Sequence, residues 1–510
     1  MDVILTHLAG ALGNLTSPTM LLVLLAGVSF GIVLGALPGF GSSQSLALLF
    51  PLTFAMPTDH AIVFFLAIYS AAEYGGSIPA ILIRTPGTPA QAVTVIEGYE
   101  LARKGFANKA LKISLFSGVI GGLTSTIIFI LSGTTLALIA LQFGPGEMFA
   151  LGIFGLSIIG SFFGRDPARG FLATGIGLLL ATVGSSGFGG MRFTFEQAYL
   201  SEGLPLVVVI IAFLAGPEAF RLLVEHRKTV EPKKSVLESR QEREKDRVTR
   251  ADARRLVPTW IRCSLIGTGI GAIPGAGASV GSLIAYSEEK RWSKRGKEFG
   301  TGVEEGLAAP ETANNAVVAG TLVPSLTLGI PGSGAAAILL SVLISKGVVP
   351  GPLLFRNEPL LITTIFVGLL FVNFWLLVIG IFFTRAFALV AKVPRRILGP
   401  FVMLLIILGT YAYNTYPAHV VMVLILSLVA YWFHKIEVPV VPIVLAFVMG
   451  PIVEENLSRA LTIHAGDILV VLTRPITLVI LALAIITATY SVIAHRRSLK
   501  EGHEERVEEE

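Results

Sequence analysis

Long apolar runs constrain the fold of this chain more than any other feature. Residues 19–37, 114–141, 204–223, 360–383 and 468–494 form such runs, with a shorter one at 420–433. About 20 apolar residues cross a bilayer as a helix. Inside hydrocarbon only helices and closed barrels satisfy their own backbone polar groups. Charged residues make up 14% of the chain, against roughly 25% in an ordinary soluble domain. An all-α polytopic membrane protein is therefore expected. The net charge of +5 carries no argument for nucleic acid, because the basic residues sit in short loops between the runs. The one cysteine, Cys263, excludes an internal disulfide and a cysteine-rich metal site, and in its apolar setting it reads as packing. The N-terminus Met1-Asp2-Val3-Ile4-Leu5 lacks a basic leader region, so the first span is expected to be retained.

Four Pro-Gly pairs interrupt this apolar sequence: Pro38-Gly39, Pro86-Gly87, Pro274-Gly275 and Pro331-Gly332. Proline removes a donor and blocks a helix on its N-terminal side. Glycine permits backbone angles that other residues avoid. Small or hydroxyl residues and then a new apolar stretch follow each pair, which is the pattern of a helix start. Unpaired first-turn N–H groups and the positive dipole end make an anion site without side-chain charge. The candidate anion-binding residues are Gly39, Gly41, Ser42, Ser43, Gly87, Thr88, Gly275, Gly277, Ser279, Gly332 and Ser333. The carbonyls freed on the other side of a break suit a hard cation such as sodium, which makes Pro38, Gly39, Pro274 and Gly275 candidates for ion coupling. The alternative is four tight kinks with no ligand.

The breaks belong to a duplication. Gly31 to Gly41 matches Gly267 to Gly277, with Gly31, Gly35, Ala36, Pro38, Gly39 and Gly41 identical to their partners. Pro79, Pro86 and Gly87 match Pro324, Pro331 and Gly332, and Ala212-Phe213 with Gly216-Pro217 matches Ala446-Phe447 with Gly450-Pro451. Basic loops mark the cytoplasm. Residues 56–60 carry no Lys or Arg while their counterpart, 290–297, is strongly basic; residues 99–112 are basic while 346–356 is sparse. The uncharged 142–146 likewise faces the basic 385–396, and Arg165 and Arg169 face the uncharged 414–417. Each basic loop has a nearly neutral twin, which predicts two inverted-topology repeats of broken helices or re-entrant hairpins. About ten to twelve spans plus one extra C-terminal span are expected. The boundaries read as an N-terminal segment 1–17, a first repeat 18–224, a charged cytoplasmic linker 225–258, a second repeat 259–461, an extra span 462–494 and a cytoplasmic tail 495–510. The N-terminus is then periplasmic.

Polar residues accompany the breaks. Glu73 lies mid-run, where a carboxylate costs about 2.5–3.5 kcal/mol on insertion scales. It is a coupling-ion or proton site, a partner of Arg84, or a residue at a wet edge. Arg84 can clamp a substrate carboxylate through its fork, or snorkel at the interface. Glu311-Thr312-Ala313-Asn314-Asn315 leads into the fourth break. Asn314 and Asn315 can ligate a cation or hydrogen-bond a carboxylate, or simply start a helix. Tyr411, Tyr413, Asn414 and Tyr416 read as an interfacial belt, and His60 and His419 as loop-surface residues. No nucleophile–base pair or metal cluster stands at recognisable spacing, so no enzyme activity is expected. An anion channel or receptor-like module without ion coupling is the rival class, and an intramembrane enzyme a more distant one.

Gly35-Ala36-Leu37-Pro38-Gly39-Phe40-Gly41, Tyr74-Gly75-Gly76-Ser77-Ile78-Pro79, Pro86-Gly87-Thr88-Pro89, Glu97-Gly98-Tyr99, Ala309-Pro310-Glu311-Thr312-Ala313-Asn314-Asn315 and Leu328-Gly329-Ile330-Pro331-Gly332-Ser333-Gly334 occur in this order. Together they resemble the large membrane subunit of tripartite tricarboxylate transporters, the TctA family. The resemblance runs over most of 18–460. It implies a permease of the bacterial inner membrane that works with a small four-span membrane subunit and a periplasmic solute-binding protein. It also implies uptake of di- or tricarboxylates on a sodium or proton gradient, with the substrate and ion region on the four breaks and on Asn314 and Asn315. No cofactor beyond the coupling ion is implied. Arg84 stands where the family usually has asparagine, and Glu73 where a neutral residue is more usual. An added cation suits a compact or more highly charged anion, unless Glu73 neutralises it.

Overall fold

The computed structural model describes residues 2–37, 39–162, 166–224, 246–387 and 395–508. Pro38, Arg165, residues 225–245 of the expected linker and 388–394 of the expected basic loop lie outside the described residues.

Helices begin where the sequence supplies a cap. α1 spans Asp2–Leu15. α2, Pro18–Gly35, starts with Pro18 at its first position and the Ser17 hydroxyl accepting from the Met20 N–H. The first break follows, then α3 (Ser42–Leu49), α4 (Thr58–Gly75) and the short α5 (Ser77–Ile83). The second break leads into α6 (Gln91–Leu101) and the long α7 (Ala107–Ala140). α8 (Pro145–Phe162) and α9 (Pro167–Ala181) come next. α9 stops at Ala181. Gly184 and Gly189 adopt positive φ, and a two-residue antiparallel ladder, β1 (Gly184–Ser185) with β2 (Met191–Arg192), follows it. α10 (Leu206–Ile210) runs through a π-turn into α11 (Gly216–Val224).

α12 spans Arg250–Gly271, so residues 250–258, expected in the linker, are helical. A reciprocal cap between Thr249 and Asp252 starts it. Two of its charges pair with other helices: Arg255 reaches Glu304 and Glu305 at 3.0 Å each, and Asp252 meets Lys109, which also reaches Glu304, at 3.0 Å each. After the third break come α13 (Gly277–Trp292) and α14 (Glu304–Leu328). After the fourth come α15 (Gly334–Ser345), α16 (Pro352–Asn357), α17 (Pro359–Phe387), α18 (Arg395–Asn414), α19 (Pro417–Lys435), α20 (Val440–Ile463), α21 (Ile468–Leu472) and α22 (Pro475–Glu508). α22 continues through the stretch expected as a separate tail.

Among the described residues nine helices are long and apolar enough to cross a membrane, fewer than the number expected. Three further apolar helices, Pro145–Ser161, Pro167–Ala181 and Gly334–Ser345, are shorter than that limit. α4, α14 and α15 are buried almost throughout and form the centre. α18, α19 and α22 lie outside and present Phe401, Leu404, Ile425, Leu428, Ile485 and Ile486 outward, as a lipid-facing surface does. Tyr411 and Tyr416 are exposed, but His419, expected on a loop surface, is buried against the rings of Tyr413 and Tyr416. Its place in the first turn of α19 turns it inward.

Close helix contacts recur at matched positions in the two halves. A Cβ on Gly31 would lie 2.7 Å from the Ile68 carbonyl oxygen, and one on Gly267 would lie 2.4 Å from that of Ala313. A Cβ on Gly75 would lie 2.5 Å from the Ile32 oxygen, and one on Gly320 would lie 2.7 Å from that of Thr268. Only glycine lets α2 approach α4, and α12 approach α14, this closely.

Candidate functional site

The four breaks meet through backbone and small side chains. The Gly39 N–H donates to the Gly87 carbonyl at 3.2 Å, and the Gly275 N–H donates to the Gly332 carbonyl at 3.0 Å. These are the same bond at matched positions. Gly39 and Gly275 both hold positive φ, 86° and 82°, which a side chain would strain. The first break also touches the fourth: a Cβ on Gly334 would meet the Ser43 Oγ at 2.9 Å. Thr88 packs beside Gly41. Ser333 caps α15 by accepting from the Ala336 N–H at 3.1 Å, and its Oγ lies 3.0 Å from the Tyr69 hydroxyl of α4. Gly39, Gly41, Ser42, Ser43, Gly87, Thr88, Gly332 and Ser333 are thus gathered at one centre.

Glu73 sits beneath the first break. The Ser42 hydroxyl donates to its Oε1 at 2.6 Å, while its Oε2 is buried without a hydrogen-bond partner among the described residues. The Glu73 backbone carbonyl accepts from Gln91 Nε2 at 2.6 Å and from Asn314 Nδ2 at 3.3 Å, so the fourth helix-break region of one half reaches the carboxylate-bearing helix of the other. The Asn314 Oδ1 is also buried and unpartnered among the described residues. A lone buried acceptor is costly unless something binds it. Two such oxygens around Glu73 suit a proton or a small cation.

Asn315 turns the other way. Its amide lies against Gly118 of α7, and both polar atoms lack a hydrogen-bond partner among the described residues. Glu311 is fully engaged: Ser77 Oγ donates at 2.6 Å, Ser114 Oγ at 2.7 Å, and Thr94 Oγ1 completes the set. Three hydroxyls from α5, α6 and α7 make it an anchor for the second break. Glu97 has a comparable structural role. It accepts from the Gly302 and Val303 N–H groups at 2.7 and 2.8 Å, from the Gly300 N–H, and from the Tyr286 hydroxyl at 3.0 Å, fixing the turn that precedes α14.

Three expected residues, Arg84, Gly277 and Ser279, stand outside the centre. Arg84 caps the C-terminal end of α5 with a left-handed φ of 56°, is exposed, and stacks 5.6 Å from the Tyr99 ring centroid. It does not pair with Glu73. Ser279 is exposed, and Gly277 has nothing within 4 Å of the place a Cβ would take. The third break is open on that side.

Two groups were not anticipated. Gln91 holds both sides of the second break, accepting from the Thr88 N–H at 3.0 Å and from the Thr88 hydroxyl while donating to Glu73. Its position three residues after Thr88, at the start of α6, is the available signal. Arg221 of α11 lies across Gly39: a Cβ there would fall 2.0 Å from Nη2, which donates to Glu218 Oε1 at 2.7 Å. The ionisable pair Glu218 and Arg221 inside the apolar run 204–223 is its signal in the sequence.

No solved structure matches the chain. It is similar to the "Uncharacterized 52.8 kDa protein in TAR-I ttuC' 3'region" of Agrobacterium vitis, at 32% identity over 502 residues, or 98% of each chain. It is also similar to the "Uncharacterized protein in TAR-II ttuC' 3'region" of Agrobacterium vitis, at 32% identity over 235 residues, which are 46% of this chain and 97% of that protein. Residues 21–445 match the family described as "Tripartite tricarboxylate transporter TctA family", a stretch that includes all four breaks and Glu73. The chain, a multi-pass membrane protein, belongs to the tripartite tricarboxylate transporter TctA family.

Proposed function

We propose that this chain is the permease subunit of a binding-protein-dependent secondary transporter that imports di- or tricarboxylates, or related organic anions, on a sodium or proton gradient. As a TctA-family chain it is a transport component and not an enzyme. The observation that carries the reading is the convergence of the breaks: Gly39 on Gly87, Gly275 on Gly332, and Ser43 on Gly334. Non-helical backbone at membrane depth persists only where protein or a wet cavity satisfies it. The substrate anion sits at the helix starts around Ser42, Ser43 and Ser333, and the coupling ion at Glu73 and Asn314.

The recurring backbone bond and glycine contacts support a duplicated scaffold, and the unequal loop charges support its inversion. In this reading the N-terminus is periplasmic, and the basic 290–297 loop and the C-terminus are cytoplasmic, in a bacterial inner membrane. The partners are a small four-span membrane subunit and a periplasmic solute-binding protein. One hairpin-bearing bundle moves against the rest in an elevator-like step, by analogy with other inverted-repeat importers.

Proteoliposomes holding the chain with its partner subunit and binding protein test the reading. Labelled citrate should accumulate when a sodium or proton gradient is imposed and should not accumulate without one. Equilibration that ignores every gradient identifies a channel and overturns the carrier.

A further inference from the structure

Arg221 is out of place for a scaffold residue. It lies in the last turn of α11, within the apolar run 206–224, with its side chain three-quarters buried. A guanidinium carries five N–H donors in a rigid fork. Among the described residues one hydrogen bond is made, from Nη2 to Glu218, and Nε is buried with no partner. The group lies directly on Gly39, where a missing side chain leaves it room. Gly39 stands three residues before the start of α3, whose first-turn N–H groups have no partner within the helix.

The matched break shows that this geometry does not require an arginine. Gly275 adopts nearly the same φ and makes the same backbone bond, yet its neighbour is Ile159, whose Cα would lie 3.3 Å from a Cβ there. The backbone forms against an aliphatic side chain in one half and a guanidinium in the other. The charge thus answers to something other than the fold of the break. A carboxylate, Glu218, already occupies one of its donors, and planar bidentate carboxylate recognition is what the fork does best.

We propose that Arg221 is the specificity-determining residue for the anion, receiving a substrate carboxylate on the donors that Glu218 leaves unused. The proposal rests on the carboxylate-import reading and names the side chain that confers it.

The test uses the reconstituted three-component system with labelled citrate as probe. Arg221→Gln should raise the KM for uptake by about 10–100-fold with the maximal rate held, the size of a lost hydrogen bond to a charged group. Arg221→Lys keeps the charge and loses the fork, and should raise KM about tenfold. It carries the test if the glutamine variant fails to reach the membrane. The exchanged pair Glu218→Arg with Arg221→Glu restores an ion pair and should not restore uptake. A parental KM in Arg221→Lys, or parental uptake in the exchanged pair, overturns the proposal and leaves the import reading standing. A parent chain that moves no citrate on any gradient overturns both.

Discussion

The first pair of breaks and the second share a backbone and differ in chemistry. Gly39 to Gly87 and Gly275 to Gly332 are the same bond, and the glycine contacts behind them match. Around the first pair stand Glu73, with one free oxygen, and the Arg221–Glu218 pair. Around the second pair an aliphatic residue of α8, Ile159, lies on Gly275, and Val318 of α14 stands at the position matched to Glu73. The first break is closed by Arg221 and Thr88, whereas the third is open at Gly277 and exposes Ser279. A duplicated scaffold fixes where backbone is freed from helices. Side chains added to one copy then decide what that backbone meets, so the two copies need not carry the function equally.

The largest effect is expected at the carboxylate. Glu73→Gln should reduce gradient-driven citrate accumulation by roughly 5–150-fold, the usual range of a coupling free energy, while citrate exchange without a gradient persists. Val318→Thr, at the matched position, should leave accumulation at the parental level. Equal losses in both variants would mean that the halves share the coupling role, and unchanged accumulation in Glu73→Gln would remove the ion from this site.

A smaller and symmetrical effect is expected from the scaffold. Gly31→Ala and Gly267→Ala each drive a Cβ into a backbone oxygen of the facing helix, at 2.7 and 2.4 Å. Each should cost about 1–3 kcal/mol of stability, as overpacking does, read as similar drops in Tm of the purified protein. A large drop in one variant alone would break the equivalence of the two helix pairs.

Much of this was legible in the sequence. A proline and a glycine inside an apolar run have few uses, and their repetition in order located all four breaks and paired them. The helix starts at Ser42 and after Ser333 follow from the same rules. What stayed hidden depends on contacts between distant parts of the chain. Arg84 adjoins a break in sequence, yet a left-handed turn aims it outward at Tyr99, while Arg221, far away in sequence, folds back over Gly39. Asn314 and Asn315 are neighbours in sequence, but adjacent residues on a helix face different ways, so one meets Glu73 and the other α7. Residues 250–258 look solvated because they are charged. Their partners, Lys109 and Glu304, lie on other helices, and composition alone does not reveal them.

Cysteine protection tests the unequal-halves account most directly. In a Cys263→Ser background, Ser43→Cys and Ser279→Cys place one thiol at each of two matched helix starts. Citrate, with the coupling ion present, should slow labelling of the cysteine at 43 by a small thiol reagent and leave the rate at 279 unchanged. Protection at 279 with none at 43 would contradict the account, because it would put the anion at the break that faces Ile159 and away from the one that faces Arg221.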